Sequence, residues 1–244
     1  MDSIRPASNQ MPATVKELAW SSALLMCALL ALHYLFNLPS VFFLAAVSVF
    51  VIQGSFILAH WPAKQSFGWA NRTTLLRSVV VIPLVAWAPF LSHADGLALW
   101  FFSIASLLAL ILDGVDGKVA RATNSHSGFG ARFDMELDAL FIFGLCLAVL
   151  ALGKSGAWVL LLGLMRYLFL AASYYFTWLD RPLPESFRRK TVCVWQVVTL
   201  LVAVTPPTPT GFVSLTLAIA LLLLAWSFYL DVRWLFARRL HYEN

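Results

Sequence analysis

Charge is scarce in this chain. Lys, Arg, Asp and Glu make up 12% of its 244 residues and apolar residues 61%, where an ordinary soluble domain carries about a quarter and about half. That balance excludes a soluble globular domain. Cysteine is scarce as well: Cys27, Cys146 and Cys193 stand far apart inside apolar runs, which supports neither a disulfide framework nor a zinc site and predicts buried, inert thiols. There is no Gly-rich phosphate loop and no Ser-His-Asp ordering. Internal repeats and low-complexity segments are missing too. The net charge of +5 comes from short segments between apolar runs rather than from a basic domain with interleaved aromatics, which argues against nucleic acid as a partner.

What the chain does have is apolar runs of roughly 17 to 23 residues, each long enough to cross a ~30 Å hydrocarbon core. Eight spans are expected, at 18–36, 40–60, 76–91, 96–114, 134–152, 156–178, 190–205 and 211–231. Pro39, Pro62, Pro182, Pro184 and the stretch Pro206-Pro207-Thr208-Pro209 punctuate the breaks. Unpaired backbone in lipid costs several kcal/mol per group, so every span should be a helix and the fold an all-α integral membrane protein. The polar tail 1–17 lacks a small-residue cleavage pattern before the second run, and it is expected to be retained. Trp20, Trp61, Trp69, Trp178 and Trp234 fall near span ends, as interfacial anchors do.

Placing the tail in the cytoplasm puts fifteen of the seventeen Lys and Arg residues on that side, with Lys154 outside and Arg166 within a span. The positive-inside rule then sets both termini in the cytoplasm, in keeping with an even number of spans. The plasma membrane of a bacterium is the expected location.

Five of the twelve acidic residues lie between positions 113 and 138. The segment reads Asp113-Gly-Val-Asp116-Gly117-Lys-Val-Ala120-Arg121 and, after a Gly-containing connection, Gly130-Ala-Arg-Phe-Asp134-Met-Glu-Leu-Asp138. On helices, 113, 116, 117, 120 and 121 lie along one stripe and 130, 134 and 138 along another. Two such stripes facing each other would bring four carboxylates to one point at membrane depth, where each costs about 2.5–3.5 kcal/mol. Something cationic must sit among them. All-oxygen ligation without His or Cys points to a hard cation, Mg²⁺, with Mn²⁺ or Ca²⁺ as alternatives. Four aspartates could hold two ions, a recurrent arrangement for displacement at phosphorus with ions about 3.5–4 Å apart. Gly117 and Ala120 leave room for a diphosphate against the helix, and Arg121 can make a forked contact to its oxygens. Glu136 lies off the stripe and is not expected to be a ligand.

Over 113–138 the chain matches Asp-x2-Asp-Gly-x2-Ala-Arg-x8-Gly-x3-Asp-x3-Asp at all eight fixed positions, an agreement expected by chance on the order of 10⁻¹⁰ at a given start. It resembles the CDP-alcohol phosphotransferases, integral membrane enzymes with a six-helix core that displace CMP from a CDP-alcohol. The resemblance implies that Asp113, Asp116 and Asp134 hold the metals and that Asp138, beside them, takes the proton of the acceptor hydroxyl. It also implies that Asp113, Asp116, Gly117, Ala120, Arg121 and Gly130 form the CDP site. The core would span 64–235, with two added helices in 18–63, a tail at 1–17 and another at 236–244. CDP-diacylglycerol is the expected donor and a small polar alcohol the acceptor. A homodimer is implied through the resemblance alone.

A second segment, Asn71-Arg72-Thr73-Thr74-Leu75-Leu76-Arg77, is similar to an Asn-x2-Thr-x2-Arg stretch that precedes the first core helix in this family. That gives Asn71 and Thr74 a role in the nucleotide pocket. The alternative is that Asn71 or Thr73 caps a helix and Arg77 anchors it at the interface. Arg166, inside a span, should face a polar interior or pair with an internal acid. With Arg188, Arg189 and Lys190 it could bind a phosphate on the acceptor, which would favour glycerol 3-phosphate or an inositol phosphate over serine, inositol or choline. The triplet could equally be a topology anchor. His126 is expected to be a loop histidine, and His33 and His60 have no metal-ligand spacing. A different class of protein, a divalent-cation or proton-coupled transporter, also carries carboxylates in spans, but here they gather at one cytoplasmic edge rather than at the midplane of broken helices.

Overall fold

The computed structural model describes residues 13–61, 67–122, 127–181, 183, 184 and 186–239. The described residues contain eight α-helices and no strand: α1 Ala13–Phe36, α2 Ser40–His60, α3 Gly68–Trp87, α4 Gly96–Ala122, α5 Gly128–Ala151, α6 Leu160–Tyr175, α7 Phe187–Val204 and α8 Thr210–Arg239. Short 3₁₀ turns at Ala88–His93, Ala157–Val159 and Thr177–Asp180 join some of them. Six of the eight helices are long and apolar enough to cross a membrane. The expected fifth and seventh spans differ for a reason visible in their first turns. Arg132, Asp134, Glu136 and Asp138 leave α5 an apolar stretch of 139–151, and Arg188, Arg189 and Lys190 leave α7 one of 191–204. At 1.5 Å per residue each stretch covers only about 20 Å, against a core of ~30 Å.

Lipid is the natural environment of the outer faces. Leu35, Ile52, Leu97, Ile104 and Leu222 are all more than half exposed, which in water would be a severe hydrophobic liability. By contrast 78% of the apolar window containing α3 is buried, while the other five such helices reach 17–28%. Helix α3 is therefore wrapped by protein, and its polar side chains must find protein partners.

The chain forms two compact units. The first comprises Met1–Pro83 and Ile111–Asp134. Asn37, in the left-handed region at φ 51°, a conformation asparagine tolerates better than most residues, turns α1 tightly into α2, and Pro39 at the α2 N-cap continues the turn. Ile57 and Trp61 pack with Phe67, Leu75 and Phe133, and Leu18, Trp20, Phe56 and Phe129 close around them. The two added helices are thus built into the core that carries the start of α3 and of α5. Two polar links reinforce this. The Arg72 guanidinium donates to Glu17 at 2.5 Å, and Gln53 Nε2 donates to Ser78 Oγ at 2.9 Å. Trp20 donates to the same Glu17 at 2.5 Å and Trp61 is 9% exposed. Trp61 therefore belongs to the protein core rather than to the interfacial belt expected of it, and Trp20 packs against that core from its edge.

The second unit comprises Leu84–Leu110 and Met135–Asn244. Helices α7 and α8 pack along each other, and α6 approaches α5 closely at Gly163, where a Cβ would stand 2.9 Å from Phe143 Cα. Only glycine allows that approach. At the far end, Lys154 Nζ donates to Thr208 Oγ1 at 2.9 Å and to Thr205 O, which ties the α5–α6 connection to the α7–α8 connection. None of the three cysteines forms a disulfide; Cys146 is buried as expected, whereas Cys27 and Cys193 are exposed. A thiol behaves as a small hydrophobe and sits comfortably on a lipid-facing helix side.

Candidate active site

Helix α4 extends beyond its apolar run to Ala122 and α5 begins at Gly128, so both acidic stripes lie on regular helix. Asp113 and Asp134 meet: their carboxylate oxygens lie within 4.8 Å of each other. The cation among them is Arg77, which is only 2% exposed. Its Nη2 donates to Asp134 Oδ1 at 2.7 Å and its Nη1 donates to Asp113 Oδ1. This arginine is therefore not the hydrated anchor of the alternative reading. A guanidinium buried with two carboxylates satisfies the rule that buried charge is paired and hydrogen-bonded. The two aspartates remain 37% and 40% exposed at their side chains, so their outer oxygens can be reached by a ligand. Asp138 follows Asp134 by one turn on the same α5. The backbone of α4 carries Asp116, Gly117, Ala120 and Arg121, but their side chains lie outside the described residues, as does the whole of His126.

The second segment lies within α3. Asn71 and Thr73 stand past the start of the helix at Gly68, which removes the capping alternative. Asn71 is 2% exposed; its Nδ2 donates to Phe67 O at 2.6 Å, while its Oδ1 is buried and has no hydrogen-bond partner among the described residues. That carbonyl faces Gly130, where a Cβ would lie 2.6 Å away. Thr74 is 5% exposed and donates to Ala70 O at 3.0 Å. Asn71, Thr74 and Arg77 are spaced by three, and all are buried where α3 meets the starts of α5 and the end of α4. The spacing 71, 74, 77 groups Arg77 with Asn71 and Thr74, and its burial with two carboxylates speaks against the alternative of an interfacial anchor.

The four residues expected to bind an acceptor phosphate are all in the second unit. Arg166 Nη2 donates to Glu136 Oε1 at 2.6 Å, so the internal acid expected for it is Glu136. Arg188 donates to Ser227 O at 2.6 Å and to Asp231 Oδ1 at 2.5 Å. Arg189 donates to Pro184 O and its Nη1 lies 3.8 Å from Asp231 Oδ2. Lys190 is exposed on the first turn of α7. Of the acids that meet these arginines, Glu136 is the one that lies off the metal stripe, and Asp231 carries no motif in the sequence.

An all-helical chain with membrane-long helices and a paired-aspartate centre beside a Gly-bearing helix start is an integral membrane protein with a candidate hard-cation site. The family model described as CDP-alcohol phosphatidyltransferase matches residues 67–230, and the chain belongs to that family. Among curated proteins it is similar to cholinephosphotransferase 1 of Gallus gallus, at 33% identity over 92 residues. The match covers 35% of this chain and spans 27% of the relative's length. No solved structure matches.

Proposed function

We propose that the protein transfers a substituted phosphate group from a CDP-alcohol to an alcohol acceptor with release of CMP, in the synthesis of a phospholipid. The donor in this reading is CDP-diacylglycerol and the group moved is phosphatidyl. The observation that carries the proposal is the meeting of Asp113 and Asp134 at the end of a helix that bears the Gly117-Ala120-Arg121 stripe.

In this reading the CDP diphosphate lies along α4 over Gly117 and Ala120, with Arg121 reaching its oxygens. Asn71 and Thr74 contribute to the nucleotide pocket from α3, and the buried, unpartnered Asn71 Oδ1 is an acceptor for a nucleotide N–H or hydroxyl. The all-oxygen donor set suits a divalent hard cation held by Asp113, Asp116 and Asp134, with Asp138 adjoining. Mg²⁺ is the proposed metal and two ions the proposed number. Bound there, the metal would neutralise the diphosphate oxygens and the leaving group. Arg77 holds the two carboxylates in register from behind and offsets their repulsion. Asp138 accepts the proton of the acceptor hydroxyl as its oxygen attacks the phosphorus distal to cytidine. The bond from that phosphorus to the bridging oxygen breaks, and CMP leaves with the electron pair. Proximity of hydroxyl, base and phosphorus does much of the remainder.

The active site would face the cytoplasm of a bacterium, with both termini on that side and a homodimer as the assembly. The test is CMP release by the purified protein in lipid with CDP-diacylglycerol, Mg²⁺ and a mixture of alcohols. Alcohol-dependent CMP from the native chain and none from Asp138→Asn is the expected result. CMP release that needs no alcohol, or none at all from folded protein, would refute the proposal.

A further inference from the structure

The second unit contains a cavity of about 300 Å³ bounded by α5, α6, α7 and α8. Asp138 lies on its wall, as do Arg166, Arg189 and Asp231. Much of the remaining wall is apolar, including Met135, Ile142, Leu162, Phe169, Leu224 and Phe228. Two arginines against two aspartates leave no net formal charge on the lining. Nor is the positive charge of Arg166 or Arg188 unanswered: Glu136 holds Arg166 at 2.6 Å and Asp231 holds Arg188 at 2.5 Å, while Asp231 Oδ2 also lies 3.8 Å from Arg189 Nη1. A phosphate monoester, which carries about −1.5 to −2, would face Asp138 and Asp231 there and would have to break these pairs in order to be neutralised.

We infer that this cavity selects an uncharged alcohol as the acceptor, and that Glu136 and Asp231 determine the selection by keeping the arginines neutralised. The inference rests on the transferase reading above. An uncharged alcohol requires one hydroxyl at Asp138 and packs its carbon skeleton on the apolar wall. Arg166 contributes one further donor, because its Nε is buried and lacks a hydrogen-bond partner among the described residues. With its charge answered by Glu136, that N–H suits a neutral oxygen. The acceptors that the arginine cluster suggested from sequence, glycerol 3-phosphate and inositol phosphate, fit this arrangement poorly.

The experiment measures kcat/KM for CMP release by the full chain in lipid nanodiscs with Mg²⁺. CDP-diacylglycerol is paired with inositol, glycerol, glycerol 3-phosphate, inositol phosphate, serine and choline in turn, and CDP-choline with dioctanoylglycerol. An uncharged alcohol is expected to exceed every charged one by at least tenfold. Glu136→Gln and Asp231→Asn, each freeing an arginine, should narrow that ratio about tenfold by raising kcat/KM for the phosphorylated alcohols. If the native chain prefers a phosphorylated or otherwise charged alcohol, the inference is overturned and the transferase reading stands. An unchanged ratio in both folded variants overturns the role of Glu136 and Asp231, and should either variant fail to fold, the native preference still decides the acceptor class. No alcohol raising CMP above the Asp138→Asn level with either donor would instead sink the transferase reading itself.

Discussion

Gly130 and Asn71 touch: a Cβ on the glycine would stand 2.6 Å from Asn71 Oδ1 and 3.0 Å from Ser127 Oγ. Asn71 cannot simply swing aside, because it is buried and its amide nitrogen is bonded to Phe67 O. Gly130→Ala should therefore cost about 1–3 kcal/mol and raise KM for the CDP donor roughly tenfold through the displaced Asn71. Shortening the partner in Gly130→Ala/Asn71→Ser should recover stability relative to Gly130→Ala alone. A double-mutant cycle on thermal midpoints and donor KM checks both expectations.

Arg77 answers the same pair of carboxylates that the proposed divalent cation would. Removing the guanidinium leaves the half-exposed Asp113 and Asp134 repelling each other and takes away two charge-assisted hydrogen bonds, a change of about 1.5–3 kcal/mol. The thermal midpoint of Arg77→Met should fall by several degrees in EDTA and rise on adding Mg²⁺ by more than that of the native chain. Equal Mg²⁺ shifts in the two proteins would show that no cation binds at these aspartates.

The hairpin of α1 and α2 is held to the start of α3 by Glu17, which accepts from both Arg72 and Trp20. Glu17→Ala should lower stability by about 1–3 kcal/mol, the range for charge-assisted hydrogen bonds. Glu17→Gln should lose less, since it keeps an acceptor for Trp20. Thermal unfolding of the two variants in one detergent gives the comparison, and a midpoint unchanged in Glu17→Ala would mean that apolar packing alone holds the hairpin.

Helices α5 and α6 approach backbone to backbone at Gly163, where an added Cβ would stand 2.9 Å from Phe143 Cα. Backbone cannot yield as a side-chain end can. Gly163→Ala is expected to push α6 outward, destabilise by about 1–3 kcal/mol and raise acceptor KM, because Gly163 lines the cavity that Asp138 faces. Donor KM should move less, which separates this effect from that of Gly130→Ala.

Much of the architecture was legible because helix periodicity is local. The breaks at Pro39 and Pro206-Pro207 coincide with helix boundaries, and the stripes 113–121 and 130–138 lie on helices as the three- and four-residue spacing required. The demand that acids at membrane depth be neutralised was also legible, since it follows from the cost of isolated charge. Apolar length alone is less decisive at α5 and α7, where the charged first turns stay helical but shorten the apolar stretch. Trp61 departs from the expectation, because nearness to a span end does not distinguish a tryptophan inside a core from one at the interface.

By itself the sequence determined the helical class and the location in a membrane, and it singled out the candidate residues for phosphoryl chemistry, because hydropathy, spacing and residue chemistry act within a turn or a run. Tertiary structure alone decided the partners: Arg77 with Asp113 and Asp134, Arg166 with Glu136, Arg188 with Asp231, and Asn71 against Gly130. These groups lie 30 to 59 positions apart in the chain, and which faces of two helices meet depends on how every side chain between them packs. A charge in the sequence states that it needs a counterpart, while the packed helices determine which one it gets.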